Sequence, residues 1–341
     1  MCSSDLTISA TINSVAITQT APVTVTAGAA SQIAAQGQIS WTAMVGTAVS
    51  PPPSVIVSDQ FGNPVAVVGV RFDVTGGGGT ANPVTTSSNA SGIATTSWTL
   101  GLLPGDNTLT ATATGLTGSP VTFTATGTIG PPSSTQSRVT AEPASVPASS
   151  GASISTVTVT ALDAMGNPVP GATVALDASG AGNTLTQPAA TTDASGRVTG
   201  TLSSTKAEMK TVSATLNGTV PLAQTPTVVV LPGPAAAFGF TVQPSNTTVL
   251  SRISPPVRVT AFDAFGNMAS GFVDNVTIAI GTDPSLLGAH LGGTTSVPAV
   301  SGVATFDDLS IDQLGTGYTL IASVQGIGGA TSAPFNVTLL P

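Results

Sequence analysis

Across 341 residues the chain carries 7 Lys and Arg, 15 Asp and Glu and one His, so only 6% of positions are charged and the formal net charge is −8. Seven cations cannot build the basic stripe that neutralises nucleic-acid phosphates, nor the polybasic cluster that holds a protein on anionic lipid. One His, one Tyr and one Cys leave almost no acid, base or nucleophile inventory, and a lone Cys closes neither a disulfide within the chain nor a cysteine zinc site. Hydrophobic residues, at 41%, suffice for cores, and the polar remainder is uncharged, with 55 Thr, 38 Gly and 26 Pro. Such a composition, rich in β-branched residues, belongs to a folded chain and not to a solvated tail.

The first residues, MCSSDLTISATINSV, hold neither a cationic nor an apolar signal region, and Cys2 lacks the apolar stretch that precedes a lipidated cysteine. The expectation is a chain whose export signal has been removed or that belongs to something longer. No run approaches the ~18 apolar residues of a membrane span. Ile8-Ser9-Ala10, followed by Pro22-Val23-Thr24, resembles the end of the repeat described next. Residues 1–26 therefore read as the last strands of an incomplete unit or as a strand segment exchanged between subunits, because a lone hairpin is marginal in water.

Three markers then recur in the same order. Asp59-Gln60-Phe61-Gly62-Asn63-Pro64 returns as Asp163-Ala164-Met165-Gly166-Asn167-Pro168 and, without the proline, as Asp263-Ala264-Phe265-Gly266-Asn267. Ser91-Gly92, Ser195-Gly196 and Ser301-Gly302 form the second marker, and Leu109-Thr110-Ala111, Val212-Ser213-Ala214 and Leu320-Ile321-Ala322 the third. Units of about one hundred residues follow, at 27–130, 131–232 and 233–341, with proline-stiffened joints at 128–133 and 231–234. Three such beads in line would span ~110 Å.

Within each unit the period is two. Val55, Val57 and Asp59 alternate with Ile56 and Ser58, Val157 and Val159 with Thr156, Thr158 and Thr160, and Val257 and Val259 with Arg258 and Thr260. This pattern predicts half-buried strands with Thr on the wet face, and no window carries a clean helical stripe. The expected fold class is all-β: tandem antiparallel β-sandwiches, beads on a string.

A strand, Asp-x-x-Gly-Asn-Pro-Val, a second strand such as Val70–Val74, Ser-Gly-Ile-Ala and Leu-Thr-Ala together resemble the bacterial immunoglobulin-like repeats of intimin- and invasin-type surface proteins. The match is good over 50–128 and 154–232; the third unit is a related repeat that loses the turn proline and carries a longer stretch at 281–298. The resemblance implies an Ig-like sandwich, an extracellular or cell-surface setting and non-catalytic work. It carries no receptor specificity with it.

Each residue that invites chemistry has a structural reading beside it. Asp59, Asp163 and Asp263 read as turn residues that accept backbone N–H groups, since calcium wants six or more oxygens and few carboxylates lie nearby. Asp307, Asp308 and Asp312 read as a solvated loop or strand edge. His290, in a glycine-rich loop with no acidic neighbour in sequence, reads as a loop histidine. Gly76 to Gly79 lacks the Lys and helix of a phosphate loop and reads as a flexible bend. Tyr318 stands where Ig-like folds use a tyrosine to bond across a corner, and Trp41 and Trp98 read as isolated packing residues. Sequons at Asn89, Asn217, Asn246, Asn275 and Asn336 are expected by chance in a chain so rich in Thr.

No catalytic, cofactor-binding or metal-binding residue is therefore assigned, and no cofactor. The functional expectation is a non-catalytic extracellular stalk or fibre segment of a bacterial surface. Because few charges guard the sheet edges, it is expected to self-associate, head to tail or laterally, by strand addition. Another cell-surface protein is the other expected partner, nucleic acid and a membrane span are not expected, and a glycan is left open. The alternative is an adhesin segment that attaches to a host, a surface or a polysaccharide.

Overall fold

The computed structural model describes residues 6–19 and 21–339, so Cys2 and part of the 1–26 reading lie outside the described residues. Among these residues every regular element is a strand. The chain is a tandem array of Ig-like β-sandwiches.

The period-two reading translates directly into burial. In strand Ser54–Ser58, Val55 and Val57 are fully buried while Ser54, Ile56 and Ser58 are half-buried, and Val257 and Val259 repeat this in Val257–Phe262. In Val121–Thr128 the alternation is complete, with Val121, Phe123, Ala125 and Gly127 inside and four Thr outside. Thr suits the outer face because its branched Cβ favours extended backbone and its hydroxyl keeps water.

In the first sandwich, one sheet runs Thr85–Ser87, Gly69–Gly76, Gly105–Thr112, Val121–Thr128, Ser40–Met44, and it faces Ile93–Thr95, Ser54–Ser58, Gln32–Ala35. Trp41, Phe72, Trp98, Leu109 and Phe123 fill the core between them. Trp41 and Trp98 are not isolated, as their sequence positions suggest; the sheets bring them edge to face with centroids 6.1 Å apart. The second sandwich sets Arg138–Glu142, Ser155–Thr160, Arg197–Ser204, Asn183–Thr186 against Ser145–Pro147, Thr227–Leu231, Met209–Leu216, Val174–Ala178. In the third, Ala237–Val242, Val257–Phe262 and Val303–Phe306 form one sheet, and Thr247–Thr248, Phe335–Thr338, Gly315–Val324, Asn275–Thr282 and Ser296–Pro298 the other.

One device repeats in all three. Near its start the chain crosses to pair in parallel with the last strand: Ser40–Met44 on Val121–Thr128, Ser145–Pro147 on Thr227–Leu231, and Thr247–Thr248 on Phe335–Thr338. The Ser-Gly marker is explained as well. Gly92, Gly196 and Gly302 have φ of 72°, 72° and 82°, and a Cβ there would lie 2.5, 2.4 and 2.6 Å from the backbone oxygens of Val57, Ala161 and Ala269. Only glycine fits such a site.

Residues 6–23 form two short hairpin pairings, Leu6–Ile8 with Ala21–Val23 and Thr11–Ile12 with Val15–Ala16, with Ile8, Ile12 and Val15 exposed. By contact density the chain divides into two units. Met1–Ser137 groups with Thr160–Ala172 and Thr192–Gly196; Arg138–Val159 groups with Thr173–Thr191 and Arg197–Pro341. The turn carrying Asp163 thus belongs with the sandwich before it, and the turn carrying Asp263 shares a unit with the strands of the second sandwich.

Candidate functional site

The Asp-x-x-Gly-Asn turn has the same geometry three times. Asp59 Oδ1 accepts the backbone N–H groups of Phe61 and Asn63, both at 2.9 Å, and Asp163 and Asp263 do the same for Met165 and Asn167 and for Phe265 and Asn267. Gly62, Gly166 and Gly266 turn the chain at φ of 84°, 86° and 80°. The second carboxylate oxygen does what spacing alone could not reveal. It accepts the backbone N–H of a glycine some thirty residues upstream, Gly28 at 2.9 Å, Gly130 at 3.2 Å and Gly233 at 2.9 Å. The two later glycines lie in the proline-containing joints, so each aspartate clamps the linker by which the chain enters its sandwich.

The asparagine completes the joint. Besides bonding its own aspartate, Asn167 Nδ2 donates to the carbonyl of Leu102 at 2.8 Å. Asn267 Nδ2 donates to the carbonyl of Thr205 at 2.8 Å, and its Oδ1 accepts from Ala207 N–H at 2.9 Å. Leu102 and Thr205 occupy the same loop of successive sandwiches, between Ser97–Leu100 and Gly105–Thr112 and between Arg197–Ser204 and Met209–Leu216. Call it the exit loop, and the Asp-x-x-Gly-Asn turn the entry turn.

A buried polar side chain braces each exit loop from inside, at one register position, four residues ahead of the Ala that ends the third marker. Asn107 accepts Gly101 N–H and donates to Gly105 O, each at 3.0 Å. Lys210, its side chain fully buried, donates to Ala181 O and to Glu208 Oε1 at 2.6 Å. The Tyr318 hydroxyl donates to Gln313 O at 3.1 Å, across the corner its position implied. The Gly76–Gly79 run is part of this brace and not a loose bend, since a Cβ on Gly77 would fall 2.5 Å from Asn107 Oδ1.

The titratable groups follow their bonds. The Asp59 carboxyl is lowered to about 2, first by the Asn63 amide, with the N–H groups of Gly28, Asn63 and Phe61 outweighing its desolvation. At Asp163 and Asp263 desolvation is the largest single influence and raises the pKa, yet the summed amide and N–H bonds carry both below the ordinary value. Lowered carboxylate pKa values mean that the native state binds fewer protons in acid than the unfolded chain. Their stabilisation is complete above an unfolded aspartate pKa of about 3.9. It is lost as pH falls through the folded values. Urea unfolding followed from pH 7 downward should show a plateau to roughly pH 4 and then a decline that continues toward pH 2.

His290 requires a correction. The fold brings Asp312 to it, with His290 Nδ1 3.2 Å from Asp312 Oδ2 and His290 N–H donating to Oδ1 at 2.7 Å. The imidazole remains largely exposed, with no nucleophile bonded to it. Asp308 is held by the N–H and hydroxyl of Thr294, and no group of three or more His, Cys, Asp or Glu converges as a metal site among the described residues. Two shallow clefts lie beside the linker of the third sandwich. One, of about 350 Å³, runs along Pro232–Ala235 and Phe272 with Asp274 as its ionisable residue; the other, of about 260 Å³, lies between Lys206 and Asn267. Neither gathers an acid, a base and a nucleophile.

Residues 136–230 match the family model of the bacterial Ig-like domain, group 1. The matched segment spans most of the second sandwich. No curated protein sequence matches the chain. Among solved structures, the chain is similar to the Escherichia coli adhesin FdeC at 21% identity and TM-score 0.42, covering 92% of this chain and 100% of that one. It is similar to invasin, a bacterial integrin-binding protein, at 20% and 0.41, covering 89% of this chain and 59% of that one. InvD of Yersinia pseudotuberculosis follows at 16% and 0.39, covering 89% and 95%. None of these likenesses bears on activity or ligand. The clamp residues Asp163 and Asn167 and the brace Lys210 all fall inside the matched segment.

Proposed function

We propose that the chain is a non-catalytic stalk segment of a bacterial cell surface, whose work is to hold Ig-like sandwiches in fixed succession outside the cell. The observation that carries this reading is the doubly used asparagine, which ties each entry turn to the exit loop of the sandwich before it at 2.8 Å in both joints. A linker clamped at its glycine and a turn bonded across the joint resist bending far better than a free linker of the same length. Replacing Asn167 and Asn267 by Ala should broaden the distance distribution between spin labels placed on neighbouring sandwiches. A distribution unchanged from wild type would sink the reading. Such a segment needs no acid, base or nucleophile, in keeping with a chain holding one His, one Tyr and one Cys.

Self-association by strand addition belongs to the same reading. The paired strands within 6–23 present exposed Ile8, Ile12 and Val15, a surface that neighbouring strands could cover. Removing residues 1–26 should abolish assembly in electron micrographs; undiminished assembly would exclude this route. The adhesin alternative has an observation of its own. Leu286 and Leu287 stand 100% and 84% exposed on the loop that Asp283 pins through Ser285 N–H and Ala289 N–H. An ordered loop with an apolar tip is a fit contact for another cell-surface protein.

A further inference from the structure

In each sandwich a strand near the start of the unit lies beside the last strand and runs the same way. Because the two are parallel, a pull on the chain before the one and after the other drags them in opposite directions along their length. Every bond between them is then loaded at once, and none is peeled ahead of its neighbours. The strands that come earlier, Gln32–Ala35, Arg138–Glu142 and Ala237–Val242, belong to the facing sheets and can detach without freeing this pair. The parallel ladder is therefore the part of each sandwich that a stretched stalk must break.

The three ladders differ in length and in kind. In the first sandwich Ser40–Met44 lies on 124–128 over five residues, between Thr124 N–H on Ile39 O and Val45 N–H on Thr128 O, each at 3.0 Å. A second backbone contact stands behind it, with Ile33 N–H on Thr117 O and Thr117 N–H on Ser31 O, both at 2.9 Å. In the second, Ser145–Pro147 lies on 229–231 for three residues, between Val229 N–H on Ala144 O at 2.9 Å and Ala148 N–H on Leu231 O at 2.7 Å. In the third, Thr247–Thr248 lies on 337–338 for two residues, and Val249 N–H on Thr338 O at 2.9 Å closes it. Leu250 then turns away at φ 63° and gives its N–H to Ile311 O, so this strand itself ends the ladder, whatever follows Thr338. Ahead of it side chains stand in for backbone: Asn246 Oδ1 accepts Asn336 N–H at 2.7 Å, and Gln243 Oε1 accepts Ala333 N–H at 2.8 Å.

We propose that the third sandwich is the yielding element of the stalk, opening first under tension and letting out chain while the first two stay folded. The proposal rests on the stalk reading above and adds to it a graded strength, first above second above third. Opening between Thr248 and Thr338, neighbours in the fold, releases about 300 Å of extended chain. Forced unfolding follows the unfolding barrier and not the equilibrium stability, so the ladders set this order and core size does not.

Single-molecule stretching of the full chain, held by its two ends in a Cys2→Ser background, tests this. Three unfolding events are expected at rising force. Thr248→Cys with Thr338→Cys places two thiols on facing residues of the third ladder, within reach of a disulfide. Oxidised, this variant should lose the weakest event and keep the other two; reduced, it should regain it. Asn246→Ala, at an exposed position, should speed the weakest event about fivefold at a given force and leave the others unchanged. Loss of any other event on oxidation, three events at one force, or an Asn246→Ala chain that opens as the wild type does would overturn the proposal. The spin-label distances that test the joints do not sense these ladders, so a failure there and a failure here are told apart.

Discussion

Asp163→Ala is expected to destabilise the protein by about 4 kcal/mol, measured as a fall in the urea midpoint of the second sandwich. The carboxylate is 1% exposed and accepts from Met165 N–H, Asn167 N–H, Gly130 N–H and the Asn167 amide. Bonds to a charged acceptor contribute about 1.5 to 3 kcal/mol each, and the backbone N–H groups of Met165 and Asn167 have no other acceptor in so tight a turn. Part of the loss is recovered where the Gly130 end of the linker frays and its N–H reaches water, which brings the sum down to the stated figure. Asp163→Asn separates shape from charge. It keeps the size but presents an NH₂ where one oxygen accepted, and about half of the loss should remain. A neutral response to Asp163→Ala would mean that the linker is held by packing alone.

Trp98→Ala should cost about 4 kcal/mol in the first sandwich, the middle of the range for removing a buried large aromatic side chain. Trp98 is fully buried, centred on the inner face of Ser97–Leu100, and meets Trp41 edge to face; Trp41 in turn packs on Phe123 at 6.0 Å. Two rigid sheets cannot close on the void, so the transfer loss is joined by a cavity loss. Trp98→Phe should cost much less, because the phenyl ring refills most of the volume and, among the described residues, the indole N–H has no acceptor to lose. Comparable costs for the two variants would show that a polar bond to Trp98, and not volume, holds this core.

How far the sequence reveals the fold depends on the reach of each signal. The alternation of Val55 and Val57 with Ile56 and Ser58 is local and periodic, so strand, inner face and Thr surface all follow from it. The entry turn is legible as a turn for the same reason: its Asp, Gly and Asn act within five residues. Its second task is not legible, because the bonds from Gly28, Gly130 and Gly233 cross about thirty residues and require the strands to be laid in order first. The brace is hidden for another reason. Asn107, Lys210 and Tyr318 share a position and a task but no chemistry, so a comparison of residue types passes over them, and only the count from Ala111, Ala214 and Ala322 aligns them. The approach of Asp312 to His290 and of Trp41 to Trp98 likewise depends on sheet order, which periodicity leaves open.

The scarcity of charge has a consequence for the water around the protein. Among the described residues Arg71 pairs with Asp73 and Lys210 with Glu208, and the Lys210 ammonium is sealed from solvent. Raising ionic strength from 0.1 M to 1 M shortens the screening length from about 10 Å to about 3 Å. Such screening finds little to act on here, since the cohesion lies in apolar cores, amide ladders and aspartates bonded at hydrogen-bond range. Between these two ionic strengths, screening of side-chain ion pairs therefore has little part in holding this fold together.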